Sequence, residues 1–178
     1  EKLTDKSSVE LIRYNAEKHF EHTSEDPQVI INEIDRKQAN WINIDGLHNI
    51  DLIKKLGEHF DINSLVLEDV LNPDQRPKIE DFDNHLFFTL KTLNTLQSDI
   101  IIYEQMSFIL GENYLLSFQE KEGDLFDGFR GRLKNDPKSK ARKKDVDFLF
   151  YRLIDTIVDS YYLIQESISE RIEGLEDE

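Results

Sequence analysis

The spacing of apolar residues in the first half of the chain alternates between that of strands and that of helices. Residues 9–14 have a strand pattern. In residues 40–45 (Asn-Trp-Ile-Asn-Ile-Asp) apolar and polar side chains alternate, which predicts a half-buried strand ending at Gly46. An apolar patch at residues 29–34 is assigned no element. Two helices are then predicted. The first is amphipathic and is marked by Ile50, Ile53, Leu56 and Phe60, and the second covers residues 64–71 and ends before Pro73.

After Pro77 the apolar spacing changes to a period of two, which is typical of strands. Four consecutive strands are predicted, at residues 79–81, 86–93, 100–110 and 114–119. Gly-Glu-Asn at residues 111–113 suits a hairpin turn between the last two. Because helices and an antiparallel run of strands occur in one chain, the pattern favours a mixed α/β fold in which helices cover a sheet.

The strongest periodic signal lies at the end of the chain, after a predicted helix at residues 125–133 and a basic, polar loop at residues 134–144. A helix beginning near Lys143 would be about 50 Å long at ~1.5 Å per residue. That is longer than a compact domain needs, so we expect it to reach another helix or another subunit. We therefore predict a globular domain at residues 1–142 and a long helix at 143–178. The apolar residues of the long helix follow at steps of three and four: Phe150, Leu153, Ile157, Tyr161, Ile164, Ile168, Ile172 and Leu175.

The composition is strongly acidic and lacks cysteine. The chain holds 37 acidic and 22 basic side chains, for a formal net charge of -15. Such a surface repels phosphate backbones and anionic headgroups, so neither nucleic acid nor a peripheral membrane surface is expected as a partner. The lack of cysteine excludes disulfides, thiolate zinc sites and thiol catalysis. No glycine-rich phosphate loop, paired-histidine zinc motif or nucleophile elbow is present, so we do not expect an enzyme.

The two ends of the sequence favour a fragment of a longer protein. Glu1 is not a methionine, and the final helix would end on Glu176, Asp177 and Glu178, at the negative end of its own dipole. The sequence contains no run of about 18 apolar residues, the length that a membrane-spanning helix requires. We expect the final helix of the sequence to continue in the parent protein.

Two groups of carboxylates could bind a cation. On the long helix, four acidic residues are separated by four, seven and four positions and share one face: Asp155, Asp159, Glu166 and Glu170. Glu68 and Asp69 are adjacent on the short helix before Pro73, about 100° apart around its axis. A hydrated divalent cation would offset the repulsion between such carboxylates, and Mg²⁺ prefers oxygen ligands. The alternative, a solvated acidic helix face, stays open for both groups.

A basic cluster lies just before the long helix. It comprises Lys138, Lys140, Arg142, Lys143 and Lys144, with Asp145 and Asp147 following in the first helical turn. This cluster could bind anions, or it could be a solvated loop whose charge the two acids compensate.

Several segments, taken together, resemble the CorA family of divalent-metal transporters over residues 40–178. The most specific block is Leu-Val-Leu-Glu-Asp-Val-Leu-Asn at residues 65–72, followed by Gln-Arg-Pro-Lys at 75–78. The other matching segments are Trp-Ile-Asn-Ile-Asp-Gly at 41–46, Phe-Asp-Asn at 82–84, Leu-Lys at 90–91, Ser-Phe-Gln-Glu at 117–120, Gly-Asp at 123–124, Phe-Asp at 126–127, Tyr-Arg-Leu-Ile-Asp at 151–155 and Val-Asp at 158–159.

The resemblance implies an α/β/α sandwich with a mixed, largely antiparallel sheet, ending in a long helix that leads towards a stalk. It implies the cytoplasmic, Mg²⁺-sensing domain of a homopentameric membrane channel for Mg²⁺ and Co²⁺, whose membrane helices lie outside this sequence. Magnesium bound between subunits would hold the channel closed. By the same resemblance, Asp69 corresponds to a ligand of the inter-subunit magnesium, Glu68 and Asp155 to ligands of a second site, and Asp159 to a further candidate on the same face.

Three other functions remain open from the sequence. A relative that transports zinc would share the fold, since the transported ion is selected in the pore. A free-standing domain could use the long helix to bind a protein partner. A soluble enzyme with an unfamiliar acidic site is the third alternative.

Overall fold

One mixed sheet forms the centre of the molecule. The computed structural model describes residues 7–95, 101–121 and 123–176. In these ranges seven strands pair in the order β2-β1-β3-β7-β6-β5-β4. Their bounds are β1 Ser8–Tyr14, β2 His19–Ser24, β3 Ala39–Asp45, β4 Lys78–Asp81, β5 Leu86–Thr95, β6 Ile101–Leu110 and β7 Tyr114–Gln119.

All but one of the neighbouring strand pairs are antiparallel. The exception is β3 with β7, which run parallel at the middle of the sheet, with Ile42 opposite Leu116. The strands β4 to β7 form a meander joined in part by the predicted turn at Gly111, whose amide donates to the Tyr114 carbonyl. The prediction of a mixed, largely antiparallel sheet is therefore confirmed.

Helices cover both faces of this sheet. Within the described ranges they are α1 Pro27–Glu33, α2 Ile50–His59, α3 Ser64–Leu71, α4 Asp127–Asn135 and α5 Val146–Glu176, with a 3₁₀ turn at Ala141–Lys143. Helices α1 to α3 share one hydrophobic core with Ile42 and Ile44, whereas α4 and α5 share another with Trp41. Successive strand residues point to opposite faces, so the two cores lie on opposite sides of the sheet. This confirms the α/β/α sandwich.

Local chemistry explains the helix boundaries in the first half. Asn49 and Asn63 precede α2 and α3, and their side chains accept hydrogen bonds from the amides of Leu52 and Leu65, as N-caps do. Before them, β3 ends at Asp45, and the next residue, Gly46, has a positive φ of 83° that favours glycine.

The structure corrects several boundaries and adds two elements. The β3 strand is buried on both faces rather than half-buried, because a helical layer covers each side. The helix predicted at residues 125–133 spans Asp127–Asn135, and α5 begins at Val146 rather than near Lys143. The pattern missed β2 and α1. Residue 100, the predicted start of β6, lies outside the described residues.

The helix α5 has two different halves. Leu149, Leu153 and Ile157 are fully buried against the sheet, whereas Ile168 and Ile172 are exposed. At 31 residues it is about 46 Å long at ~1.5 Å per residue, so it extends beyond the sheet that it covers. Over the described ranges, no helix combines the length and the apolar character needed to cross a bilayer.

Candidate metal-binding carboxylates

Helix α3 places Glu68 and Asp69 on the outer side of the first helical layer. Val66 and Val70 are buried beneath it, so Glu68 is exposed and Asp69 is partly buried. The end of α3 is fixed from the sheet, because the Gln105 amide on β6 donates to the carbonyls of Asp69 and Asn72. The backbone that carries Asp69 is therefore held by a buried polar side chain.

Two side chains of the following segment hold the Asp69 carboxylate. Gln75 Nε2 donates to its Oδ1 at 2.7 Å, and Lys78 Nζ contacts its Oδ2 at 2.6 Å. Lys78 also reaches Glu80 Oε1 at 3.3 Å. The hydrogen bond to Asp69 is the main cause of the raised pKa of Lys78. The Gln-Arg-Pro-Lys block at residues 75–78 supplies both partners of Asp69.

An open depression lies beside this ion pair. Leu65 and Phe82 contribute apolar walls, and the acidic lining residues are Glu68, Asp69, Glu80 and Asp81. Lys78 neutralises part of this charge. No three histidine, aspartate or glutamate side chains in the described ranges lie close enough to hold one metal ion between them. The four carboxylates therefore form an acidic surface rather than a closed coordination cage.

The donor set nevertheless fits a hard, hydrated cation. A carboxylate offers about four lone-pair positions, and Gln75 and Lys78 each use one on Asp69. Magnesium dehydrates reluctantly and is commonly bound by one or two carboxylates while it keeps several waters. Glu68 and the free positions on Asp69 could accept hydrogen bonds from such waters, with further ligands from another molecule.

The carboxylates of α5 lie on the opposite face of the sandwich. Asp155 forms an ion pair with Arg152, one turn earlier, at 2.8 Å, and Asp159 is exposed. Glu166 and Glu170 lie farther along the exposed half of the helix. Because α3 and α5 cover opposite faces, one chain does not bring Glu68 or Asp69 together with Asp155 or Asp159.

A second charged cluster has no counterpart among the predicted sites. Arg130 on α4 binds Asp124 through two hydrogen bonds of 2.6 and 2.7 Å, and binds Glu10 Oε2 at 2.9 Å. Burial and the nearby Asp124 raise the pKa of Asp45, at the end of β3, to about 6. The Gly-Asp segment at residues 123–124 is one signal of this cluster in the sequence, but Glu10 lies on β1 and Asp45 at the end of β3, both far away along the chain.

Comparison with protein families gives one match over most of the chain. The model of the family described as CorA-like Mg²⁺ transporter protein matches residues 36–178. The cobalt/magnesium transport protein CorA of Thermotoga maritima is 40% identical over 183 residues, covering 99% of this chain and 50% of that protein. The putative metal ion transporter YfjQ of Bacillus subtilis is 26% identical over 122 residues, covering 68% of this chain and 37% of that protein.

Solved structures with the same fold have different names. The soluble domain of CorA from Methanocaldococcus jannaschii superposes with a TM-score of 0.72 at 17% identity, covering 95% of this chain and 63% of that one. The ZntB cytoplasmic domain from Vibrio parahaemolyticus gives 0.68 at 13% identity, covering 93% and 64%. At such identities the likeness shows the fold alone. The present chain spans about half the length of the Thermotoga relative.

Proposed function

This chain belongs to the CorA family, and from that membership we propose that it is the cytoplasmic, Mg²⁺-sensing regulatory domain of a divalent-cation transporter. The proposed cargo is Mg²⁺, with Co²⁺ as a second ion, as the name of the Thermotoga relative suggests. The domain would lie on the cytoplasmic side of the cell membrane and would connect through α5 to membrane helices outside this sequence.

The observation that carries the proposal is the position of Asp69. Its carboxylate borders an open acidic depression on the outer surface, where another copy of the chain could approach it. When such surfaces approach one another, their carboxylates repel, and this repulsion favours separation of the subunits. A bound divalent cation supplies the charge that offsets the repulsion. The assembly that holds it would be stabilised by mass action, and its loss would favour the separated, open state.

The exposed outer half of α5 supports a second copy of the chain as a partner. Tyr162, Leu163 and Ile172 on this part of the helix are exposed, although they would be covered in an assembly. We propose that they contact neighbouring copies in a homopentamer. The separation of Asp69 and Asp155 onto opposite faces supports sites completed between subunits, because each subunit then offers different carboxylates to its two neighbours.

The test is Asp69→Asn in the full-length transporter that contains this domain. Mg²⁺ uptake into proteoliposomes is measured at increasing internal Mg²⁺. Uptake by the wild type should decline as internal Mg²⁺ rises, and the variant should need at least about fivefold more Mg²⁺ for the same inhibition, a modest coupling energy. Asp74→Asn is the matched control, since Asp74 is exposed, lies five residues later and does not line the depression. Equal inhibition of wild type and Asp69→Asn would refute the assignment.

A zinc-transporting relative is the main alternative, because the ZntB cytoplasmic domain has the same fold. The same proteoliposomes distinguish the two when Zn²⁺ and Co²⁺ uptake are measured beside Mg²⁺. Zn²⁺ uptake that exceeds Mg²⁺ uptake and does not respond to internal Mg²⁺ would favour the zinc transporter. A free-standing interaction domain would instead require a natural stop codon close to residue 178 in the source gene.

A further inference from the structure

A concave pocket lies at one end of the sandwich, away from the carboxylates described above. The end of β1, the segment before β3, the β6–β7 turn and the start of α5 surround a cavity of about 250 Å³. This is just below the usual range for drug-sized ligands, about 300–1,000 Å³. Its size suits a small molecule or ion rather than a polypeptide. We call it the Tyr14 pocket, after one of the side chains that line it.

The charge of the Tyr14 pocket is opposite to that of the whole chain. It is lined by five cationic side chains and two acidic ones: Arg36, Lys37, Arg142, Lys143 and Lys144, against Glu112 and Asp145. Five minus two gives a charge of +3 for the lining, and Asp147, whose charge also reaches Tyr14, reduces the local charge to +2, in a chain whose net charge is -15. Four of these cations are exposed, and in the part of the chain that the structure describes none of the five has an ion-pair partner. The pocket therefore attracts anions.

Arg142 is built into the wall of this pocket. The sequence allowed a solvated loop here, but the 3₁₀ turn buries Arg142 so that only 2% of it is exposed. Its Nε donates to the Asn15 carbonyl and its Nη1 to the Leu133 carbonyl, both at 2.8 Å. These bonds fix the guanidinium without neutralising it. Because a buried charge without a counter-ion is unfavourable, an anion bound beside Arg142 would be strongly stabilised.

A buried hydroxyl provides a second, independent indication of a ligand. Tyr14 is 1% exposed and lines the same pocket, and its hydroxyl has no hydrogen-bond partner in the described ranges. Burial is the first cause of its raised pKa. The charges of Asp145 and Asp147 raise the pKa further and Arg142 lowers it, which places the hydroxyl beside the start of α5. A buried donor without a partner is uncommon in native proteins and calls for an unseen acceptor.

We propose that the Tyr14 pocket binds a small phosphate-bearing anion. Arg142 and the Tyr14 hydroxyl would donate hydrogen bonds to phosphate oxygens from the interior, and Lys143 and Lys144 would neutralise charge from the rim. The amino end of α5, a helix of 31 residues, adds the positive end of its dipole. A doubly charged oxyanion matches the local charge of +2 better than a single carboxylate does. Arginine is also suited to phosphate geometry.

The proposal is tested by isothermal titration of the 178-residue chain at constant ionic strength. Sodium orthophosphate and glycerol 3-phosphate are titrated separately, so that binding of the free ion is distinguished from binding of a phosphate ester. The double variant K143Q/K144Q should bind the better of these ligands at least about tenfold more weakly. The matched control K138Q/K140Q removes the same charge from the same loop, at exposed residues outside the pocket, and should bind as the wild type does. An equal loss in both double variants, or no saturable binding of either ligand, would overturn the proposal.

Tyr14→Phe separates a ligand contact from a structural role. It removes only the hydroxyl, which has no hydrogen-bond partner among the residues that the structure describes, so the ligand-free variant should melt no lower than the wild type. In the presence of the ligand it should gain less thermal stability, and its Kd should be several-fold higher. A variant that binds as tightly as the wild type would show that the hydroxyl does not contact the anion and would contradict the proposed geometry.

Discussion

At the residue scale, Lys78 occupies a position that a metal ion would also favour. Its ammonium contacts Asp69 at 2.6 Å and Glu80 at 3.3 Å, so a cation that approaches these oxygens must displace it or share them. Lys78→Gln should therefore increase the affinity of the chain for Mg²⁺ by about two- to fivefold, since a partly exposed ion pair contributes about 0.2–1 kcal/mol. Isothermal titration with MgCl₂ measures the change.

The control for this experiment is Lys54→Gln. Lys54 is an exposed lysine on α2 that does not line the acidic depression, so its loss changes the net charge equally without removing a competitor from Asp69. Equal affinities in the two variants would mean that the gain arises from net charge alone.

The raised pKa of Asp45 predicts that the wild type and Asp45→Asn differ in stability by an amount that depends on pH. The pKa of this carboxyl is about 6 in the folded chain against 3.8 for the free group, mainly because it is buried, and secondly because Asp124 is close. The folded state holds this proton more tightly than the unfolded state, so stability from Asp45 is present below about pH 3.8 and is lost as the pH rises through about 6. At pH 7 the unfolding free energy of Asp45→Asn should be about 1 kcal/mol higher than that of the wild type, a value reduced to allow for screening by water. At pH 4 the difference should be much smaller.

Chemical denaturation at the two pH values checks this difference. Asp127→Asn is a suitable control, because its side chain is 94% exposed although it also lies near Arg130. A difference between wild type and Asp45→Asn that does not change with pH would contradict the raised pKa.

The sequence identified the candidate metal-binding residues, but it did not indicate which side chains surround them. Asp69 and Glu68 were identified through a local block, and the structure places them on the surface of a predicted helix. The contacts of Asp69 with Gln75 and Lys78 depend on how the segment after Pro73 turns back, which periodicity does not encode. Burial of Arg142 could not be predicted either, because its two carbonyl partners come from Asn15 and Leu133, far apart in the sequence.

At the element scale, α5 joins a core helix to an exposed extension. Leu153 is fully buried between the helix and the sheet, whereas Ile172, five turns later, is 53% exposed. Leu153→Ala should lower the unfolding free energy by about 2–5 kcal/mol through lost burial and a cavity. Ile172→Ala should change it by less than about 0.5 kcal/mol.

Thermal or urea unfolding of the isolated chain distinguishes the two substitutions. Comparable losses in both would mean that the outer half of α5 folds back onto the domain. In the full-length protein, Ile172→Ala should weaken subunit association if this half of the helix contacts a neighbouring copy as proposed above.

The elements that the sequence predicted well are those rich in apolar residues that pack into a core. Helix α2 has an apolar stripe at helical spacing, the strands β5 to β7 are rich in apolar and aromatic residues, and the bounds predicted for these strands agree with the structure within a few residues. The strand β2 was missed because it is an edge strand of polar composition, His-Phe-Glu-His-Thr-Ser, with little apolar alternation. Helix α1 has only seven residues, too few for a helical period to be visible.

At the scale of the whole molecule, the distribution of charge matters more than its sum. The net charge of -15 coexists with an acidic depression at α3 and a basic pocket at the start of α5, on different parts of the sandwich. Net charge alone argued against nucleic acid and a membrane surface as partners, yet it could not indicate where basic side chains gather. That arrangement follows from the topology, which brings residues 14–16, 36–39, 112–113 and 142–146 to one end of the sheet.

The acidic surface also predicts how the chain responds to magnesium. Any salt reduces the mutual repulsion of 37 acidic side chains, so NaCl alone should stabilise the fold. Mg²⁺ should stabilise it further if it binds the depression at Asp69. For a site with a Kd on the order of 1 mM, 10 mM MgCl₂ adds about 1.4 kcal/mol to the unfolding free energy. The measurement compares 10 mM MgCl₂ with NaCl of equal ionic strength.

Asp69→Asn separates binding at this depression from general screening. The variant retains nearly all of the net charge, so its response to NaCl should match that of the wild type, while its additional response to Mg²⁺ should fall markedly. If the wild type and the variant gain equally from Mg²⁺, the ion acts as a diffuse counter-ion around the whole acidic surface. Regulation by a discrete site would then depend entirely on contacts that form between subunits.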